Sequence, residues 1–302
     1  MSMTEALLKY TDEEYIEPPH GFCAGCSIPL ALRWFLKIMG EKTVLAMPPG
    51  CAAPSVLFPK PSLVHKGKRI KVLNTPFGSV VIFSGGLKSA YVLRGDMETQ
   101  VVAWAGDGAT FDIGFAALSA SADRNEDIIY VCYDNEAYQN TGGQRSSATP
   151  WQATTTTNPL PMPKAEQKKD IVLIMAAHRI PYAATLSVAY PGDFMRKVMK
   201  AKQTKGFRFL HILTPCVAAW RFPVRLGIKI SRLAVQTNVF PLLEIESGCK
   251  IDITVNSKGL PVEEYVKIQG RYRHLTQEQI VQLQAGVEQR WNQLQYLANY
   301  GK

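Results

Sequence analysis

Several residues of this 302-residue chain have types and spacings that could do chemistry. Cys23 and Cys26 form a C-x-x-C in GFCAGCSIPLALRW, directly before an apolar run. That pair suits a zinc hook, a redox disulfide or half of an iron–sulfur site, and alone does not choose among them. Cys51 follows 25 residues after Cys26 in PPGCAAP, and Cys216 stands 165 residues beyond Cys51 in LTPCVAAW. Elsewhere, Gly106-Asp107-Gly108 offers a hard oxygen ligand between two glycines that permit close backbone approach to a bulky anion. On its own the triplet is weak evidence and reads more readily as a plain turn. Asn135 lies 28 residues beyond Asp107 and opens the run NEAYQNTGGQRSSATP.

These residues need elements to position them. TVLAM (43–47), IKVLN (70–74), QVVAWA (100–105), DIIYVCYD (127–134), IPYAATLSVA (180–189) and FRFLHIL (207–213) are rich in Val, Ile and aromatics, and are predicted as buried strands. Helices are predicted over 28–39, 77–93, 111–124 and 193–205. Such alternation predicts an α/β fold, a mostly parallel sheet flanked by helices, with ligands at the carboxyl ends of the strands. Cys51, Asp107, Asn135 and Cys216 all follow predicted strands. On neighbouring strand ends, Asp107 and the Asn135 side chain could hold one Mg²⁺, with the Ala137 carbonyl as a third ligand. Asn140, Thr141, Gly142 and Gly143 would then wrap a diphosphate.

The chain is expected to form one domain, with an N-terminal extension (1–20), a long loop (146–169) and a C-terminal extension (250–302). A Pro/Thr/Ser-rich loop of that length is usually functional or mobile. Thr276 and Gln279 form a capping box for a helix over 276–297, whose apolar face is Ile280, Leu283, Val287, Trp291 and Leu294. No apolar run reaches membrane-spanning length, and the acidic start does not read as a secretory signal, so a cytoplasmic location without a membrane is expected. In that compartment six cysteines read as metal ligands or core residues rather than disulfides. The net charge of +9 suits an acidic partner. Its basic residues are scattered, with small clusters at 66–69 and 168–169 and no nucleic-acid motif, so no nucleic acid is expected.

The combined pattern GDG…DNEAYQNTGGQRSSATP resembles the thiamine diphosphate motif of the 2-oxoacid:ferredoxin oxidoreductases, and most closely the β subunits of the pyruvate:ferredoxin type. The resemblance covers roughly residues 15 to 250. It implies thiamine diphosphate bound with Mg²⁺ at Gly106, Asp107, Gly108, Asn135, Ala137, Asn140 and Thr141, beside Cys51. It implies a [4Fe-4S] cluster on Cys23, Cys26, Cys51 and Cys216, and Asn140 as a catalytic residue approaching the substrate. The reaction implied is oxidative decarboxylation of a 2-oxoacid, with electrons leaving singly through the cluster and coenzyme A taking the acyl group. The partners implied are a pyrimidine-binding α subunit that brings the activating glutamate, a γ subunit and a ferredoxin-like δ subunit, with ferredoxin or flavodoxin as acceptor.

The sequence also departs from that family's pattern. Ser27 replaces the glycine common after the second cysteine, Ile28 follows it, and the stretch after Cys51 differs from the pyruvate type. Thr75, Pro76 and Phe77 fall near the expected substrate side. Pyruvate, oxalate, an aryl glyoxylate and another 2-oxoacid therefore remain open as substrates. Two rival readings also stand: a non-oxidative thiamine enzyme with a structural metal, and a zinc-stabilised scaffold in which GDG and NTGG are turns. Cys132 reads as core, and Cys249, with no second cysteine close by, does not read as a ligand. His20 and His65 lie near the cysteines or in a basic loop, while His178, His211 and His274 have no motif around them. Arg145 suits either an anion or a carboxylate partner.

Overall fold

The computed structural model describes residues 13–58 and 60–300. The acidic N-terminal segment, read above as lacking a secretory signal, lies up to residue 12 outside the described residues.

Among the described residues ten strands form: β1 (Thr43–Met47), β2 (Val64–His65), β3 (Lys68–Arg69), β4 (Lys71–Asn74), β5 (Gln100–Gly106), β6 (Ile129–Asp134), β7 (Tyr182–Ser187), β8 (Arg208–Leu213), β9 (Leu243–Glu246) and β10 (Lys250–Ile253). The helices are α1 (Ile28–Met39), α2 (Ala52–Leu57), α3 (Val80–Leu93), α4 (Phe115–Asp123), α5 (Ile171–Ala177), α6 (Pro191–Gln203), α7 (Val217–Trp220), α8 (Gly227–Gln236), α9 (Glu263–Val266) and α10 (Gln277–Tyr300). Eight strands make one sheet in the order β10-β9-β7-β8-β6-β5-β1-β4, and β2 and β3 form a separate hairpin. From β7 to β4 every pairing is parallel; β9 runs antiparallel to β7, and β10 to β9.

The predicted strands and helices form, with ends shifted by a few residues. The central strands lie between two helix layers, so they must be apolar on both faces. Alternate residues separate the layers. Leu45, Met47, Val102, Trp104, Val131, Tyr133, Leu210 and Ile212 pack with α1 and α6, whose Trp34 and Phe194 meet edge to face at 5.6 Å. Ala46, Ala103, Tyr130, Cys132 and Phe209 face the layer that contains α3, α4 and α5.

Three expectations change. IKVLN was predicted as a buried strand, but β4 is the sheet edge and is largely open. Its Val72 and Leu73 have a neighbour on one side only. The region from 250, predicted as an extension, begins with β10, which completes an antiparallel hairpin with β9. This hairpin escapes a pattern search because it is short and carries the acids Glu244, Glu246 and Asp252. The 146–169 loop has neither helix nor strand, yet it packs onto the body with Thr154, Thr155 and Lys164 buried. The capping box forms in both directions at 3.0 and 3.2 Å, and α10 runs on to Tyr300. Among the described residues, no helix is long and apolar enough to cross a membrane.

Candidate active site

Four adjacent strands, β8, β6, β5 and β1, end side by side. The residues that follow them carry Cys216, Asn135, Asp107 and Cys51 in that spatial order. Local geometry places each. Cys51 precedes α2 and Cys216 precedes α7. Asp107 stands directly before a short π-helical segment, Gly108–Ile113. Glu136 takes a left-handed backbone (φ 65°) just past β6. That turn brings the Asn135 side chain and the Ala137 carbonyl to one point. The C-x-x-C loop has no strand behind it. It packs against the segment after β8, with Ser27 Oγ donating to the Pro215 carbonyl at 3.4 Å.

A cavity of about 160 Å³ opens at these strand ends. Gly106, Asp107, Gly108, Asn135, Ala137, Asn140, Thr141 and Cys51, the residues singled out in the sequence, line it together with Phe77, Tyr133 and Tyr138. The volume is about half the lower bound for an enclosed small-molecule site. Asn140 and Thr141 are exposed at its rim. Gly142 and Gly143, predicted to wrap a diphosphate, line a neighbouring cavity of about 320 Å³ instead, shared with Arg221 and Arg271.

Asp107 and Asn135 are almost completely buried. One end of the Asn135 carboxamide lies 3.1 Å from Asp107 Oδ1 and 2.7 Å from the Ala137 carbonyl oxygen. The other end lies 3.9 Å from Cys51 Sγ. With its NH₂ turned inward, the amide donates to both oxygens. With its carbonyl turned inward, three oxygens converge. Oxygens adjacent on an Mg²⁺ octahedron with 2.0–2.1 Å bonds stand about 2.9 Å apart. The spacing therefore fits a small hard cation. Burial, and then the Asp134 carboxylate, push Asp107 well above the usual carboxylate range; a bound cation would reverse this.

The four predicted cysteines act on one another. Burial, together with neighbouring thiols of the set, pushes Cys26 and Cys51 up to about 12. Burial also raises Cys216, Cys23 adds to that effect, and the Ala218 and Ala219 amides oppose it. Cys23 itself is exposed. A single zinc ion needs its sulfurs within about 4 Å of one another. Among the described residues, no three Cys, His, Asp or Glu side chains are grouped to hold one metal ion. Four cysteines are a donor set that both a zinc ion and a polynuclear iron–sulfur group take.

Other sequence readings resolve plainly. Cys132 is buried in β6 and Cys249 is exposed in the β9–β10 turn. Arg145 pairs with the Glu166 carboxylate at 3.5 Å. His20 stands edge to face with Phe22, and His178 Nε2 meets Ser119 Oγ at 3.1 Å. His65 lies on β2, and His274 is half-buried beyond α9.

Sequence reasoning missed the charge network beneath the site. Asp134 meets Lys168 Nζ at 2.5 Å and His211 Nε2 at 2.7 Å. Glu136 meets Lys168 at 2.8 Å and Arg271 at 2.6 Å. Burial opposes ionisation of Asp134, but Lys168 and His211 outweigh it and hold the carboxyl below its ordinary range. Arg271 stacks on Trp220, whose Nε1 donates to the Asn135 carbonyl at 2.9 Å. The two acids flanking Asn135 in YDNEAY were the available signal, but their partners lie 32 or more residues away.

Comparison with known proteins agrees with this geometry. Residues 67–212 match the family described as thiamine pyrophosphate enzyme, C-terminal TPP binding domain. The chain is 42% identical over 296 residues to pyruvate synthase subunit PorB of Methanocaldococcus jannaschii, covering 94% of this chain and 97% of that protein. It is also 42% identical to ketoisovalerate oxidoreductase subunit VorB of Pyrococcus furiosus, covering 95% and 94%. The fold matches a 2-oxoglutarate:ferredoxin oxidoreductase from Magnetococcus marinus with a TM-score of 0.57 at 21% identity, over 77% of this chain and 80% of that one. The chain belongs to the PorB/VorB family of β subunits of the 2-oxoacid:ferredoxin oxidoreductases.

Proposed function

We propose that this subunit carries the thiamine diphosphate and cluster half of an oxidoreductase acting on a short aliphatic 2-oxoacid, pyruvate or 2-oxoisovalerate. The observation that carries the reading is the single strand-end array of Asp107, Asn135 and Cys51 with the convergent oxygens of Asn135 and Ala137. Asp107, Asn135 and the Ala137 carbonyl would hold Mg²⁺. Gly106, Gly108, Asn140 and Thr141 would surround the diphosphate. Cys23, Cys26, Cys51 and Cys216 would hold a [4Fe-4S] cluster. The thiamine cofactor supplies an electron sink for decarboxylation, with the cluster accepting electrons one at a time.

The chain's own residues do the positioning. Tyr133 and Phe77 line the apolar part of the cavity, where they exclude water. Asn140 stands at the rim, where an incoming carbonyl or carboxylate would pass. Partner subunits would close the open wall and bring the pyrimidine-side glutamate, with an acidic ferredoxin or flavodoxin as acceptor and coenzyme A as acyl acceptor. Ile82, Phe83 and Leu93 on α3 are exposed apolar side chains available to such a partner.

The test is iron, acid-labile sulfide and bound thiamine diphosphate on the anaerobically purified complex, followed by electron-acceptor reduction with pyruvate and with 2-oxoisovalerate. About four iron and four sulfide per β subunit are expected. Zinc in their place would overturn the cluster. Turnover without acceptor reduction would indicate a non-oxidative thiamine enzyme.

A further inference from the structure

The Asp107 carboxylate has two oxygens with different tasks. Oδ1 faces the Asn135 amide and the cavity. Oδ2 accepts a 2.5 Å hydrogen bond from Ser146 Oγ. Both Asp107 and Ser146 are buried, so this bond has no competition from bulk water. The direction of its proton is set by neighbouring groups. Ser146 Oγ already accepts from the Ala148 amide at 3.2 Å, and its hydroxyl proton is left for Asp107.

Ser146 is itself fixed from two sides. Its amide donates to Thr149 Oγ1 at 3.0 Å, and its carbonyl accepts from the Thr149 amide at 3.1 Å. The Thr149 hydroxyl proton in turn goes to the Glu136 carbonyl at 2.6 Å. A chain of hydrogen bonds thus runs from the residue after β5, through the start of the long loop, to the residues after β6. It spans the two strand ends that carry the convergent oxygens.

We infer that Ser146 is a positioning residue for the divalent cation: it fixes the rotation of the Asp107 carboxylate so that Oδ1, and not Oδ2, is presented with the Asn135 and Ala137 oxygens. The inference rests on the proposed cation site and adds a residue outside the Gly-Asp-Gly…Asn pattern. It also gives the first turn of the 146–169 loop a task. Partners that orient a metal ligand typically matter 10–100-fold in metal affinity.

The test uses the assembled complex, stripped of cofactor with a chelator. Mg²⁺ is titrated at saturating thiamine diphosphate, and protein-bound thiamine is measured after filtration. Ser146→Ala removes the hydroxyl, and Ser146→Cys keeps the shape with a weakly donating thiol. Both are expected to raise the half-saturating Mg²⁺ concentration, about 10–100-fold for Ser146→Ala. Ser146→Thr, which keeps the hydroxyl, is expected to stay within about threefold of wild type, below that range. The thermal midpoint of the cofactor-free complex, read alongside, is expected to move little. Wild-type Mg²⁺ dependence in Ser146→Ala and Ser146→Cys, or an equal loss in Ser146→Thr, would overturn the inference. Retention of thiamine diphosphate by the wild type without any divalent cation would remove the cation reading itself, and the inference with it.

Discussion

The Asn135 carboxamide stands between Asp107 and Cys51, with one end 3.1 Å from Asp107 Oδ1 and the other 3.9 Å from Cys51 Sγ. The orientation that offers oxygen to a cation is therefore the one that aims N–H at the sulfur. Hydrogen bonds to cluster sulfurs raise reduction potentials. Asn135→Asp keeps an oxygen toward the cation but removes the donor and adds charge. The cluster proposed on Cys51 is expected to titrate at a more negative potential in this variant than in wild type, in an EPR-monitored reductive titration. An unchanged potential would show that the amide does not couple the two sites.

Gly108 is required because Tyr138 packs over it. A Cβ there would lie 2.4 Å from Tyr138 Cε1 and 2.7 Å from Cδ1. The ring is held by its hydroxyl, which donates to Asp112 Oδ2 at 3.0 Å. Gly108→Ala must therefore push Tyr138 along the cavity wall. Thiamine diphosphate affinity is expected to fall at least tenfold, about 1.4 kcal/mol, with overpacking costing about 1–3 kcal/mol of stability. Calorimetric titration of the complex, with thermal unfolding beside it, separates the two effects.

Lys168 neutralises two buried carboxylates, Asp134 and Glu136. Removing one partner from a buried ionic network costs about 3–5 kcal/mol, because the partner charge remains. Lys168→Met is expected to lose stability in that range, and Lys169→Met much less. Glu136→Gln added to Lys168→Met is expected to recover part of the loss. Urea unfolding of wild type, Lys168→Met, Glu136→Gln and the double variant completes a double-mutant cycle that reads the coupling.

Glu244 tests an acid effect away from the cavity. Burial would raise its carboxyl, but Lys200, Tyr182 and Arg196 outweigh it and hold it below its ordinary value. A depressed carboxyl contributes its full stabilisation above the unfolded value of about 4.3. That contribution is lost as pH falls through the lower folded value. Both cations are partly exposed, so Glu244→Gln is expected to cost only about 1–2 kcal/mol at pH 7. The difference from wild type should shrink as the pH is lowered toward 3. Urea midpoints at the two pH values check this, and a gap independent of pH would exclude the ionic origin.

The strands, the flanking helices and the identity of the polar residues and thiols that follow each strand were legible from the sequence alone. Unbroken apolar runs such as those of β5, β6 and β8 can be satisfied only between two layers, and the residues following parallel strands necessarily share one edge. Asp107, Asn135 and Cys51 were legible for that reason. Tertiary structure decided what local pattern does not encode. The order β8-β6-β5-β1 sets which strand ends are neighbours. The exposed edge at β4 depends on which strand lacks a second neighbour. Ser146 is tied to Asp107 across 39 positions, and Arg271 reaches Glu136 from near the C-terminus. These are pairings of polar groups brought together only when the sheet forms. Hydrogen bonds and ion pairs of that kind have no period in a sequence, and burial gives them their direction.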